Sequence, residues 1–277
     1  MHHELPLATI SQLKRDFTNL GVEPGQTIML HISVKAIGWI IGGPDVVLDV
    51  LLQLLTPNGT LMMYAAWEDR TDHWREWPTE RQSAYLAECP PFDPATSRAN
   101  RKWSILVEYL RTKPGACRSD NPGASMVAVG AKAQWLTNNH PLQYGYGPGS
   151  PLEKLCEIGG QVLQVGVPLS TVTLLHYSEH MANVKDKRIV KYLAPILQNG
   201  QLTWVEIEEF DTSKGIVNWN EDYFARIIQE YLASGKGNSG RVGAAQSRLF
   251  DAADLRRYAT EWMERTFSAH WQSETRT

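Results

Sequence analysis

The heptapeptide LLHYSEH, residues 174–180, places two imidazoles and a carboxylate, His176, Glu179 and His180, within little more than one helical turn. On an α-helix, positions i, i+3 and i+4 share a face, so the three can act together. An HxxEH helix can hold zinc through both histidines with the glutamate as general base, but it needs a third ligand that this sequence does not identify. Alternatively, Glu179 fixes the tautomer of His176 and supports its protonated form, making the imidazole a base for a nucleophile. A solvated helix face with a His/Glu pair is a third reading, and seven residues do not separate the three.

The surrounding elements place this motif where chemistry is done. The buried run QVLQVGV reads as a strand, and Ser170 or Thr171 is a plausible N-cap for a helix starting near Val172. His176 then sits beyond the carboxyl end of a strand, where open α/β sheets bind their ligands. The stretch MLHISVKAIG repeats the layout, with His31, Ser33 and Lys35 appearing as a buried strand ends. Such a loop offers backbone amides and one cation to a diphosphate or an amide-rich linker, although a core histidine beside a solvated lysine explains it as well.

Residues 21–67 read as a βαβ unit and residues 150–182 as a helix, strand and helix. Between them KWSILVEYLRT is helical and SMVAVGA a strand. The expected fold is α/β, with a largely parallel central sheet covered by helices. Asn199-Gly200 then marks an antiparallel β-hairpin appendage. It is followed by a helix over NEDYFARIIQEYLAS, a flexible GKGNSG, one short strand RVGAAQSRLF and a last helix from about Asp251 to Phe267. The whole chain, 1–277, reads as one enlarged domain with an antiparallel and helical appendage around 186–240.

With 277 residues and 43% hydrophobic content the chain can bury a large core. A net charge of −3 and a pI near 6.2 lack the basic footprint of a nucleic-acid binder. Three separated cysteines suit a reducing compartment, and neither an apolar leader nor a stretch of ~18 apolar residues is present, so a cytoplasmic location is expected. Acids gather in two places. Glu68, Asp69, Asp72, Glu76, Glu80, Glu88 and Asp93 interleave with Trp67, Trp74 and Trp77, and a second group from Glu206 to Asp222 faces Lys214 alone. Acidic walls would steer a polycation, and aromatic faces add cation–π contacts. Asp69, Asp72, Asp93, Asp211 and Asp222 are the stronger candidates.

Taken together, LHISVKAIG, LMMYAAWED, PPFDPATSR, RSDNPGASMVAVG, YGYGPGSPLEKL, VGVPLSTVTLLHYSE and VGAAQSRLFDAADL resemble, in order and spacing, the aminoglycoside 3-N-acetyltransferases. That family lies outside the GNAT acetyltransferases. The resemblance implies direct transfer from acetyl-CoA to the 3-amino group of a 2-deoxystreptamine antibiotic, with no metal. His176 is similar to the family's general base, Glu179 to its orienting carboxylate, and Thr173 to a threonine near the thioester carbonyl. His31, Ser33, Val34, Lys35 and Ala36 resemble the pantetheine and phosphate cradle, with Arg118 and Ser119 nearby. Tyr64, Trp67, Asp69, Asp72, Asp93, Asp211, Glu221 and Asp222 are the expected acceptor contacts, with the 186–240 appendage forming part of the acceptor cleft. Many members read His-Pro where this chain has Asn121-Pro122, and His180 falls outside the pattern.

The chemistry is consistent with this. An ammonium must lose a proton before it attacks, and an imidazole suits that task near neutrality. No cysteine lies in the matching blocks, so a ternary complex is expected rather than an acetyl-enzyme. Expected partners are a polycationic aminoglycoside, no nucleic acid and no membrane, with the chain a monomer or homodimer. Acetylation of another amine, the HxxEH zinc hydrolase and an acyl-CoA or polyamine sensor are the rival readings.

Overall fold

The computed structural model describes residues 5–68, 74–219 and 222–274. Eleven strands are described: β1 (Leu7–Ala8), β2 (Thr27–Ile32), β3 (Trp39–Ile40), β4 (Thr60–Tyr64), β5 (Cys117–Arg118), β6 (Met126–Gly130), β7 (Gln161–Val165), β8 (Ile189–Gln198), β9 (Gln201–Phe210), β10 (Asn238–Val242) and β11 (Ala245–Asp251). The helices in chain order are α1 (Ile10–Leu20), α2 (Val34–Ile37), α3 (Val46–Leu55), α4 (Thr79–Glu88), α5 (Ile105–Arg111), α6 (Ala133–Thr137), α7 (Pro151–Glu157), α8 (Leu174–Met181), α9 (Tyr223–Ala233) and α10 (Ala252–Glu274).

Seven strands form the central sheet in the order β10-β11-β7-β2-β4-β6-β5. Five of them run the same way, as the expectation of a largely parallel sheet requires, but only β2–β4 and β2–β7 are parallel neighbours. Of the four antiparallel pairs, the two outermost follow from chain length. β10 and β11 are joined by Gly243 and Ala244 alone, and β5 and β6 by the short 119–125 loop, too little chain for the crossover that parallel neighbours need. Part of the expected flexible GKGNSG is therefore strand β10, and the last helix continues past Phe267.

Alternation along the strands divides the core in two. Ile28, Leu30, Ile32, Leu61, Met63, Leu163 and Val165 face one layer with α1 and α3, while Met29, Met62 and Val162 face the layer that contains α6 to α10. Counting two residues on from those three puts His31, Tyr64 and Gln164 on the second face at the carboxyl ends of the three parallel strands. The hairpin β8–β9 forms its own two-stranded sheet, and its turn residues Asn199 and Gly200 have φ of 53° and 76°. Positive φ at both positions is the hairpin geometry expected of Asn-Gly.

At the end of β7, Gly166 has φ of 63°, and a Cβ there would lie 2.3 Å from Ala36 Cβ of α2. The missing side chain lets the β2–α2 loop close against the β7–α8 loop. We expect Gly166→Ala to destabilise the chain by about 2 kcal/mol or more through this overlap, measured by urea unfolding. A change near zero would show that the two loops are not packed this closely.

Candidate active site

The site begins with the three polar residues at the strand ends. Gln164 is fully buried, and its Nε2 donates to the carbonyls of Pro168 (3.1 Å), Leu169 (3.2 Å) and Thr171 (3.0 Å), gripping the β7–α8 connection. Its register neighbour His31 accepts the backbone N–H of Thr173 at Nε2 (3.4 Å). The helix thus starts later than the expected Val172. Thr173 is the N-cap residue, and its hydroxyl makes no cap hydrogen bond. Because the Thr173 amide is engaged by His31, the hydroxyl is the donor Thr173 retains for the cavity.

Helix α8 is anchored from below. Ser150 and Glu153 cap α7 through the spacing S-x-x-E: Ser150 Oγ accepts from the Glu153 amide, and Glu153 Oε2 from the Gly149 amide. The other oxygen of Glu153 accepts the Tyr177 hydroxyl at 2.8 Å. With Leu174, Leu175 and Tyr177 buried, the remaining face of α8 presents His176 to a cavity of about 530 Å³.

His176 Nδ1 lies 2.7 Å from Glu179 Oε2, and Glu179 is 1% exposed. The second carboxylate oxygen accepts the hydroxyl of Tyr223, which in turn accepts the Ile216 N–H at 3.2 Å. With Nδ1–H donated to Glu179, Nε2 is the nitrogen left to accept a proton. The ring lies between Tyr146 and Phe224, with centroids 5.0 and 4.9 Å away. Burial, and then the charge of Glu179, push the Tyr223 hydroxyl well above its ordinary range, so it remains a proton donor to the carboxylate. Burial, followed by the neighbouring His176, lowers His31 to about 4. At neutral pH it therefore adds no second cation beside the proposed base.

His31, Tyr64, Thr173, His176, Glu179 and Asp222 all line the cavity. Tyr64 donates to the Gly123 carbonyl (2.9 Å) and receives the Tyr146 hydroxyl (2.8 Å). Asp222 also caps α9 through the Ala225 amide. Asp211 is one step removed: it is buried, and its Oδ1 accepts the Ser213 and Lys214 amides, shaping the 212–215 segment that forms one wall. Among the described residues, Glu179 and Asp222 are the carboxylates lining the cavity. Asp69, Asp72 and Glu221 lie outside the described residues.

Other expected residues are placed elsewhere. Ser33, the N-cap of α2, and Val34, Lys35 and Ala36 of α2 itself stand beside the cavity and are absent from its lining. The Ser33 amide is bonded to the Val165 carbonyl, and Lys35 is exposed. Arg118 is tied into the fold and is absent from the residues lining the cavity. Its guanidinium donates to Ser125 Oγ and to the Ser97 and Ala65 carbonyls, and burial lowers it to about 10. Ser119 is 1% exposed and bonded to His140 and the Met126 amide. Trp67 is buried against Phe92 in a separate cluster, and Asp93 caps its own turn through Ala95 and Thr96. Asn121 spends its whole amide internally, on Pro141 and Leu142 carbonyls and the Gly123 and Ala124 amides.

Tyr146, Tyr223, Phe224, Trp103 and Gln164 are among the site residues missed by sequence reasoning. Tyr223 stands 44 positions from Glu179 at the start of an ordinary amphipathic helix, and no local pattern connects the two. The zinc arrangement finds no support in the donor geometry. His176 faces Glu179 while His180 faces Glu209, and among the described residues no group of three or more His, Cys, Asp or Glu side chains gathers as a metal would require.

The pattern of the family described as Aminoglycoside 3-N-acetyltransferase matches residues 29–264. The chain is 49% identical over 260 residues to aminoglycoside N(3)-acetyltransferase III of Pseudomonas aeruginosa, covering 94% of each. It is similar to a solved structure of AAC-IIIb in binary complex with CoASH, at TM-score 0.87 and 47% identity over 94% of this chain and 98% of that one. It is likewise similar to AAC-VIa bound to sisomicin, at TM-score 0.85 and 35% identity over 92% and 97% of the two chains.

Two buried imidazoles set an acid limit. His140, between Ser119 and the Gly145 carbonyl, is lowered to about 4, by burial first and then by Lys154, against the opposing pull of the Gly145 carbonyl and Glu209. Both folded values lie below the ordinary 6.5, so between those limits the unfolded chain binds more protons and stability rises with pH. The contribution is complete above 6.5 and is lost as pH falls toward 4, by roughly 3 kcal/mol per histidine. We expect His140→Gln to flatten urea-unfolding stability against pH by about one proton across that window. An unchanged slope would contradict the assignment.

Proposed function

The chain belongs to the aminoglycoside 3-N-acetyltransferase family, and from that premise we propose that it carries acetyl from acetyl-CoA directly to the 3-amino group of a 2-deoxystreptamine antibiotic, with His176 as general base. The observation that carries this reading is the buried relay Tyr223–Glu179–His176 at a cavity that also receives Thr173. His176 Nε2 removes a proton from the acceptor ammonium, and Glu179 holds the resulting imidazolium in place. The amine lone pair attacks the thioester carbonyl, giving a tetrahedral oxyanion to which the Thr173 hydroxyl is assigned as donor. Its collapse breaks the C–S bond: the imidazolium returns its proton to the sulfur, which leaves as the CoA thiol, and the former amine nitrogen sheds its second proton to solvent, so that one proton is released per transfer. Acetylation removes a positive charge from the antibiotic, and resistance follows from that change.

His31, with the segment from Ser33 to Ala36 beside it, is assigned to the acetyl-CoA side, in line with the family resemblance. Tyr64, Asp222 and the Asp211-shaped wall are assigned to the acceptor, and Trp103 and Phe224 add aromatic surface to the same cavity. The β8–β9 hairpin and the segment that follows it belong functionally to the acceptor cleft. No described helix is long and apolar enough to cross a membrane, and the cysteines are free. We assign the protein to the cytoplasm because acetyl-CoA and reduced thiols occur together there.

Replacement His176→Ala should lower kcat by roughly 10²–10⁴-fold while acetyl-CoA binding stays within about twofold. Thr173→Val should cost roughly 10²-fold in kcat. Both are followed by thiol release from acetyl-CoA with gentamicin present, and NMR of the product identifies the acetylated nitrogen. Near-normal turnover in the His176 variant, or acetylation at another nitrogen, would defeat the reading. A chain that binds acetyl-CoA and gentamicin without releasing thiol would instead be a sensor.

A further inference from the structure

The second histidine of the opening motif has no part in the mechanism above. We propose that His180 is a positioning residue for the acceptor side of the cleft: together with Glu209 it fastens the β8–β9 hairpin to the helix that carries the base, so that the 211–215 wall and His176 keep a fixed spacing. This rests on the acetyl-transfer reading and assigns a place in it to groups outside the cavity.

His180 is one turn beyond His176 on α8, and Glu209 is the penultimate residue of β9. The two side chains are 5% and 7% exposed, and His180 Nε2 lies 2.8 Å from Glu209 Oε1 although outside hydrogen-bond alignment. The contact is thus a short polar approach of the ring to the carboxylate, held in place by packing. The imidazole lies against Phe210 (4.7 Å between centroids) and meets Tyr144 edge-on at 5.8 Å. Gly147 makes room for it, since a Cβ there would fall 2.6 Å from His180 Nδ1. Lys187 donates to the His180 carbonyl at 3.1 Å and sits 4.8 Å over the Phe210 ring.

Glu209 connects this cluster to the base a second time. Its Oε2 accepts the Tyr146 amide at 3.3 Å, and Tyr146 packs against the His176 ring. On the other side Phe210 leads directly into Asp211, whose carboxylate shapes the wall from Thr212 to Gly215. The junction therefore joins three pieces of chain: the helix of the base, the loop behind it and the acceptor wall. A buried polar contact of this kind adds little net stability, and Glu209 keeps the Tyr146 and Phe210 amides without His180, so what removal of either partner releases is the geometry the two held between helix and hairpin. That separates this role from the bland one. A histidine serving only the core would change stability and leave the two substrates equally affected.

The test measures kcat, KM for gentamicin, KM for acetyl-CoA and Tm for the unaltered chain, His180→Ala, His180→Gln, Glu209→Ala, Glu209→Gln and the double alanine variant. H180A and E209A should each raise KM for gentamicin about tenfold and leave KM for acetyl-CoA within about twofold. The double variant should be no worse than the worse single one, because the two act as a unit. H180Q, which keeps an N–H donor near the Nε2 position, should recover most of the loss. Should an alanine variant fail to fold, E209Q, of unchanged size but without the charge, should give the same split between the two KM values. Unchanged constants, both KM values rising together, or additive single effects would overturn the proposal while leaving the acetyl-transfer reading intact. Absence of thiol release from the unaltered chain would overturn that reading, and this proposal with it.

Discussion

A carboxylate held out of water is the constraint that orders this molecule. Glu179 is almost wholly buried, and an ionised group in that position is tolerable only with its oxygens satisfied. One oxygen takes His176 Nδ1 and the other the Tyr223 hydroxyl, whose own oxygen is fixed by the Ile216 amide. Satisfying the carboxylate thus fixes three things: the tautomer of the base, the docking of α9 against α8, and the path of the chain at Ile216. Stability and reactivity rest on the same hydrogen bonds, because the arrangement that neutralises Glu179 is the one that leaves His176 Nε2 available.

The sheet supplies the other half of the positioning. Three neighbouring parallel strands end with one polar side chain each on the same face, and two of these hold the start of α8 directly. Gln164 takes three carbonyls of the β7–α8 connection, and His31 takes the Thr173 amide. A helix whose first turn is fixed from beneath presents its second turn at a defined height, which is what a base acting on an externally bound amine requires. His31 can do this only while neutral, because protonated Nε2 cannot accept. Burial guarantees that state at working pH.

Several residues with plausible chemistry prove to be structural once their partners are visible. Arg118 has the charge of a phosphate ligand, but two carbonyls and a serine hydroxyl engage three of its five donors and tie it into the fold. Asn121 ties two loops with all of its amide capacity and sets the Gly123 carbonyl on which Tyr64 rests. Trp67 looked like a stacking surface, but it is buried. A side chain's type limits what it can do, while its partners determine what it has left to offer.

What the sequence determined by itself is what depends on short range. The helix bearing His176 and Glu179 follows from apolar spacing, and the pairing of those two follows from i, i+3 geometry. The βαβ unit, the Asn199-Gly200 hairpin and the polar strand end at His31 follow from burial patterns and turn chemistry, whereas the part played by Gln164 came only with the structure. Collinear motifs added the family. The tertiary structure alone decided the antiparallel flanks of the sheet, the Tyr223 contact to Glu179 across 44 positions, and the turning of His180 away from His176 toward Glu209 on the hairpin. Periodicity reports which face of an element is buried, but not which distant element covers it. The partner of a buried charge is fixed only when the chain closes around it.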